Sequence, residues 1–107
     1  TRPGVTMYQV MRRRTTRSIK PEPGTHDTKL PPNAVITSVT WRDDETIKVH
    51  AEYNAEDDAR VCVPRYLLVV EDNEDFELPV NCRFIGSVAA IIPGSGYATR
   101  HVYALEG

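Results

Sequence analysis

The residues best suited to binding chemistry are four arginines near the start of the chain, Arg12, Arg13, Arg14 and Arg17. Residues 1–20 carry six basic residues and no acidic one, whereas residues 21–107 carry fifteen acidic and seven basic residues. A basic segment on an acidic body indicates a phosphate-contacting patch for nucleic acid or a nucleotide. The alternative is solvated charge at the end of a strand, docked on the acidic surface of the same domain.

A histidine-based metal site can be weighed from spacing alone. His50 and Glu52 are two residues apart, so a strand would place the imidazole and the carboxylate on one face. A metal site there would need a third ligand, such as His26 or His101. Strand residues that face the solvent are the simpler interpretation, and we expect no metal and no cofactor.

Nucleophilic catalysis finds little support in the sequence. Cys62 and Cys82 do not form a CxxC pair, and they are too few for a disulfide scaffold. We expect two reduced thiols, with a disulfide left open to geometry. Ser95 lies between glycines but not in a GxSxG elbow. We therefore expect no catalytic residue, and not an enzyme.

The strands that position these residues are predicted most clearly for residues 30–53. Val35, Val39 and Trp41 share one parity before an acidic turn at 42–45, and a second alternation follows the turn. A period of two is typical of strands with one buried face, so we predict an antiparallel hairpin. The side chains predicted to face the core are Val39, Trp41, Ile47 and Val49. Those predicted to face water are Lys48, His50 and Glu52.

Further strands follow from the same pattern. They are predicted over residues 6–14, 28–30, 60–70, 83–92 and 98–105. Residues 19–29 contain two prolines and a glycine, and are predicted to be a loop that leads into the short strand. Pro64 indicates an exposed edge or a bulge, and Gly86 indicates a bulge or a close backbone approach. Apolar residues on both parities of 66–70 predict burial of both faces.

These elements define the fold class. We predict an all-β domain, a compact antiparallel sheet of six to seven strands curled into a small barrel or sandwich. One domain spans residues 1–107, with residues 1–5 loose. The longest apolar runs are far shorter than a membrane span, so no membrane partner is expected. An exposed edge strand would allow a homodimer, and the acidic run 71–77 is predicted to be a solvated loop.

Three short motifs carry a resemblance to a known group of proteins. Residues 30–39, LPPNAVITSV, resemble an LPxGAxIxxV strand, with Asn33 where that pattern has Gly. Residues 84–88, FIGSV, resemble a (Y/F)(I/V)GTV strand, and residues 101–103, HVY, resemble a terminal HV(F/Y) strand. Together the motifs are similar to those of a family of small, mostly phage-encoded proteins of unknown function. The likeness covers most of residues 7–105.

The resemblance implies an accessory protein made in the cytoplasm of an infected bacterial host, and it supplies no catalytic residues. The expected function is therefore a non-enzymatic phage protein that binds a host protein and interferes with a host process. One alternative is a nucleic-acid or nucleotide binder that uses Arg12, Arg13, Arg14 and Arg17. A second alternative is a minor virion component.

Overall fold

Seven antiparallel strands make up the part of the chain that the computed structural model describes, residues 11–42 and 45–106. The strands are β1 (Arg12–Ile19), β2 (Gly24–Leu30), β3 (Val35–Arg42), β4 (Thr46–Asn54), β5 (Val63–Glu71), β6 (Cys82–Ile92) and β7 (Gly96–Leu105). No helix in the described residues is long and apolar enough to cross a membrane. The all-β prediction and its strand number are confirmed.

The strands form two open sheets, in the orders β1–β4–β3 and β2–β5–β7–β6. Buried apolar side chains from both sheets form one core, so the sheets are arranged as a sandwich and do not close into a barrel. The core side chains of the three-stranded sheet are Ile19, Ile36, Val39, Ile47, Val49, Ala51 and Tyr53. Those of the four-stranded sheet are Leu30, Leu67, Val69, Val88, Val102 and Ala104.

The β3–β4 hairpin places its core residues as predicted. Ile47 and Val49 are fully buried, Val39 is 9% exposed, and Trp41 packs against the core. The turn closes through a hydrogen bond from the Glu45 N–H to the Arg42 carbonyl at 3.1 Å. Alternation therefore located the buried face of this hairpin correctly.

A bulge in β3 changes the parity at the start of that strand. The register shifts between Ile36 and Ser38, which leaves Thr37 without a direct partner on β4. Ile36 is consequently buried, whereas Val35 is exposed on the outer face. The predicted common face of Val35 and Val39 is wrong because one inserted residue reverses the alternation.

The first two strands differ from their predicted bounds. β1 runs from Arg12 to Ile19, so Arg12, Arg13 and Arg14 begin this strand and Arg17 lies within it. Most of the predicted strand 6–14 lies outside the described residues, as do residues 1–5. β2 begins at Gly24, inside the predicted loop. Its polar residues are tolerated because β2 is the outermost strand of its sheet and pairs only with β5.

The β6–β7 hairpin contains the predicted glycine bulge. The register shifts between Phe84 and Gly86. A Cβ atom at Gly86 would lie 3.3 Å from Cγ2 of Val39, on the other sheet. Both predicted roles of Gly86, the bulge and the close approach, are therefore confirmed. Pro64 lies near the start of β5, ahead of the residues that pair with β7, which is the exposed edge predicted for it.

Arginine side chains tie the fold together through backbone carbonyls. Four of them donate to a carbonyl of another segment: Arg17 to Lys29 (2.9 Å), Arg65 to Ala34 (2.7 Å), Arg83 to Ile36 (2.8 Å) and Arg100 to Pro21 (2.9 Å). Hydrogen bonds from charged groups contribute about 1.5–3 kcal/mol each when they are shielded from water. The Arg17 and Arg83 bonds join the two sheets directly, and the Arg65 and Arg100 bonds reach the connections that run between the sheets.

Candidate functional site

An aromatic cluster lies on the outer face of the four-stranded sheet. Phe84 of β6 and Tyr103 of β7 are direct cross-strand partners, with ring centroids 5.3 Å apart in an edge-to-face arrangement. Phe76, from the loop between β5 and β6, also packs on Tyr103, with centroids 5.7 Å apart. Aromatic pairs at these separations contribute about 0.5–1.5 kcal/mol beyond the burial of area. The cluster is thus held by two strands and one loop.

The cluster continues onto β5 and the end of β7. Tyr66 and Leu105 are cross-strand partners on the same face, one outward position beyond Tyr103. Phe84 is 52% exposed, Tyr66 47% and Phe76 44%. We call Tyr66, Phe76, Phe84, Tyr103 and Leu105 the aromatic surface. Large apolar side chains grouped on a solvent-facing sheet are unusual in a monomer and mark interaction sites.

The loop of residues 72–81 borders the aromatic surface. The Glu106 N–H donates to the carbonyl of Asn81 at 2.7 Å, which holds the end of the loop against the end of β7. Two apolar loop side chains, Leu78 and Val80, are exposed. Next to Phe76, a cleft of about 460 Å³ is lined by apolar residues of β5 and acidic residues of the loop. Such a cleft is large enough to receive an apolar side chain from another molecule.

The residues around this cleft are strongly acidic. Five of the seven residues in 71–77 are Asp or Glu. Glu71 pairs with the buried Arg100 at 3.5 Å. Glu74, Asp75 and Glu77 are exposed and form no ion pair with the described residues. The predicted solvated loop is therefore correct for these three carboxylates, which give the aromatic surface a negative rim.

A chain of polar side chains lies on the same face, beside Tyr103. Ser87 of β6 and His101 of β7 are cross-strand partners, and Ser87 Oγ lies 2.6 Å from His101 Nδ1. The opposite ring nitrogen, Nε2, lies 2.5 Å from Oδ1 of Asp72. Three residues that are far apart in the sequence thus meet as a serine–histidine–aspartate chain. Nothing in their local sequence indicates this arrangement.

The four arginines of the basic segment divide between the two faces of β1. Arg12 and Arg14 share the outer face, where Arg12 donates to Oδ1 of Asn54 at 2.7 Å and Arg14 lies opposite Glu52. Arg13 and Arg17 have the parity of the buried Ile19. Arg17 is half-buried, and its guanidinium binds the carbonyls of Lys29 and Thr16 and the hydroxyl of Thr15. The segment therefore does not present four side chains to one ligand.

The residues weighed as metal ligands lie on different sheets. His50 occupies the outer face of the three-stranded sheet, with Thr40 Oγ1 at 2.8 Å from Nε2 and Thr16 Oγ1 at 3.4 Å from Nδ1. His26 and His101 lie on β2 and β7 of the other sheet. Among the described residues, no group of three His, Cys, Asp or Glu side chains is arranged to hold a metal ion.

Both cysteines are free and half-buried. The Cys62 thiol donates to the carbonyl of Ala59 at 3.2 Å. Cys82 pairs with Leu105, next to the aromatic surface. The disulfide left open by the sequence is therefore not formed between them.

The sequence pattern detected Tyr66 of the aromatic surface as apolar but predicted the wrong environment for it. Apolar residues on both parities of 66–70 predicted burial of both faces, but Tyr66 is 47% exposed. The prediction is wrong for Tyr66 because, among the described residues, no element covers its side chain on the outer face of the sheet. Phe84 and Val88 are four residues apart on β6, but Phe84 is exposed and Val88 buried because of the bulge before Gly86.

Comparison with known protein families, curated proteins and solved structures gave no match to this chain.

Proposed function

We propose that this chain is a binding domain that docks on another protein through the aromatic surface. The observation that carries the proposal is the exposure of Phe76, Phe84 and Tyr66 on an open sheet face. Aromatic residues are enriched at the centres of protein interfaces, where burying one on binding removes a large apolar area from water. A side chain from the partner would enter the cleft beside Phe76.

The acidic rim defines the chemistry of the partner. Glu74, Asp75 and Glu77 flank the aromatic surface without cationic partners of their own among the described residues. A complementary surface would have an apolar centre and lysine or arginine side chains around it. Exposed rim charges mainly accelerate association, so added salt should slow binding more than it weakens the final complex.

The biological setting of this proposal comes from the sequence. The motifs at 30–39, 84–88 and 101–103 resemble small phage-encoded proteins, which favours a phage accessory protein acting in the cytoplasm of an infected bacterial host. The partner would then be a host protein, and the consequence would be interference with a host process. The exposed aromatic surface supports one part of this setting, namely that the partner is a protein.

The test is an affinity capture from bacterial lysate, followed by a binding titration with the captured protein after its purification. We expect capture to survive nuclease treatment. Changing Phe76 and Phe84 together to Ser should weaken the purified complex by about 30-fold or more, as expected for central aromatic contacts. Tyr97→Ser is the matched control, because Tyr97 is 79% exposed at the far end of β7 and should leave affinity unchanged.

Each alternative predicts a different result. Capture that disappears with nuclease, and with Arg12, Arg13 and Arg14 changed together to Ala, would replace the proposal with nucleic-acid binding. Presence of the chain in purified phage particles would identify a virion component. Dimerisation that the Phe76/Phe84 variant abolishes would mean that the aromatic surface binds a second copy of the chain.

A further inference from the structure

The chain of Ser87, His101 and Asp72 has the connectivity of an activated nucleophile. The three residues come from β6, β7 and the loop after β5. Ser87 is exposed on the sheet face, so a second molecule has access to its hydroxyl. The two contacts, 2.6 Å and 2.5 Å, are short hydrogen bonds, below the usual separation of about 2.7–3.2 Å.

The direction of the hydrogen bonds follows from the carboxylate. Ionised Asp72 can only accept, so Nε2 of His101 carries the hydrogen that it donates to Oδ1. In the neutral imidazole, Nδ1 then has a lone pair, and the Ser87 hydroxyl donates to it. His101 is thereby positioned as a general base for Ser87, and Asp72 fixes its tautomer. In serine hydrolases Nε2 of the histidine faces the serine and Nδ1 faces the aspartate. Here Nδ1 faces Ser87 and Nε2 faces Asp72.

We propose that Ser87 is a nucleophilic serine that accepts an acyl group from carboxylic esters with an apolar acyl chain. Ser87 Oγ forms a bond to the ester carbonyl carbon, and the bond from that carbon to the leaving oxygen breaks. The Ser87 proton passes to Nδ1 of His101 and then to the leaving oxygen, so that atoms and charge balance. Phe84 and Tyr103 adjoin Ser87 and His101 on this face, and they provide the apolar contact for the acyl chain.

The experiment is acylation by p-nitrophenyl butyrate, followed by release of p-nitrophenolate and by mass spectrometry of the modified peptide. We expect the butyryl group on Ser87, formed faster than on the other exposed hydroxyl side chains of the described residues. His101→Gln should lower that rate by about 100-fold, the smaller end of general-base contributions. Asp72→Asn should lower the rate with the fold intact, because it removes the charge that fixes the tautomer.

Two controls keep this test independent of stability and of the docking proposal. Ser95→Ala changes an exposed turn serine, and it should leave the rate unchanged. Circular dichroism would establish that the His101 variant is folded. Acylation of Ser87 no faster than that of Ser95, or a rate unaffected by His101→Gln, would overturn the proposal. Neither result bears on capture of a protein partner, which uses no ester.

Discussion

Substituting Gly86 tests how closely the two sheets approach each other. A Cβ atom at this position would lie 3.3 Å from Cγ2 of Val39, inside the usual separation of about 3.5–4.0 Å between carbon atoms. Gly86→Val adds two further methyl groups at that point. Overpacking of a filled site typically costs about 1–3 kcal/mol, whereas the strand preference of Val returns up to about 1 kcal/mol. We therefore expect Gly86→Val to destabilise the protein by about 1–2 kcal/mol.

A double-mutant cycle with Val39→Ala identifies the source of that cost. Val39→Ala removes the Cγ2 methyl that the new side chain would meet, so Gly86→Val should cost at least about 1 kcal/mol less in this background. Urea unfolding followed by the fluorescence of Trp41, the only tryptophan, measures each free energy of unfolding. Trp41 packs against the core, so its emission should report loss of the sandwich.

Ala89→Val is the matched control for this cycle. Ala89 lies on the same strand but is exposed, so the added methyl groups meet no neighbour in the core. Ala89→Val should change the free energy of unfolding by no more than about 0.5 kcal/mol. If Gly86→Val costs as much in the Val39→Ala variant as it does in the parent chain, the close approach is refuted as the cause.

Two further outcomes follow from single residues. Asn33 has a φ of 64°, so Asn33→Gly should leave the thermal midpoint almost unchanged or raise it. Asn33→Val should instead destabilise by about 1–2 kcal/mol, and equal midpoints for the two variants would contradict this reasoning. The Arg60 side chain and N–H donate to Asp58 and lower the pKa of its carboxyl below the usual 3.8. The resulting stabilisation is complete above the unfolded-state pKa and is lost as pH falls through the lower folded-state value. Arg60→Ala should therefore raise the Asp58 pKa in an NMR titration, and an unchanged value would show that the side chain is not the main cause.

The parts of the fold predicted from sequence are those set by local pairing. The β3–β4 hairpin joins neighbouring strands, so the alternation around Val39 and Ile47 was enough to orient it. Gly86 was also identified correctly, because a glycine inside a strand usually marks a bulge or a close backbone approach. Only residues 28–30 of β2 were predicted, because its hydrogen bonds come from β5, more than thirty residues later, which no local pattern shows.

The candidate sites depend on features that a local pattern cannot supply. Phe84 faces outward only because of the bulge before Gly86. Ser87 and His101 meet because of the β6–β7 register, and Asp72 reaches them only through the path of a loop. The division of the four arginines was accessible in principle, since a strand of period two must send Arg13 and Arg14 to opposite faces.

The strand order also has a consequence for how this chain folds. β1 pairs with β4, so that Arg12 lies opposite Asn54, and β2 pairs with β5 across a similar separation. Closing such large loops has an entropic cost before any contact compensates it, which makes folding slow relative to helical proteins of this size. Among the pairings of the described strands, the β3–β4 hairpin is the first that can form during synthesis, because its two strands are adjacent in the sequence. β2 must wait for β5, and β5 remains half-paired until β7 is synthesised. During that interval the apolar faces of both sheets are open to solvent, and a chaperone would find its binding sites there.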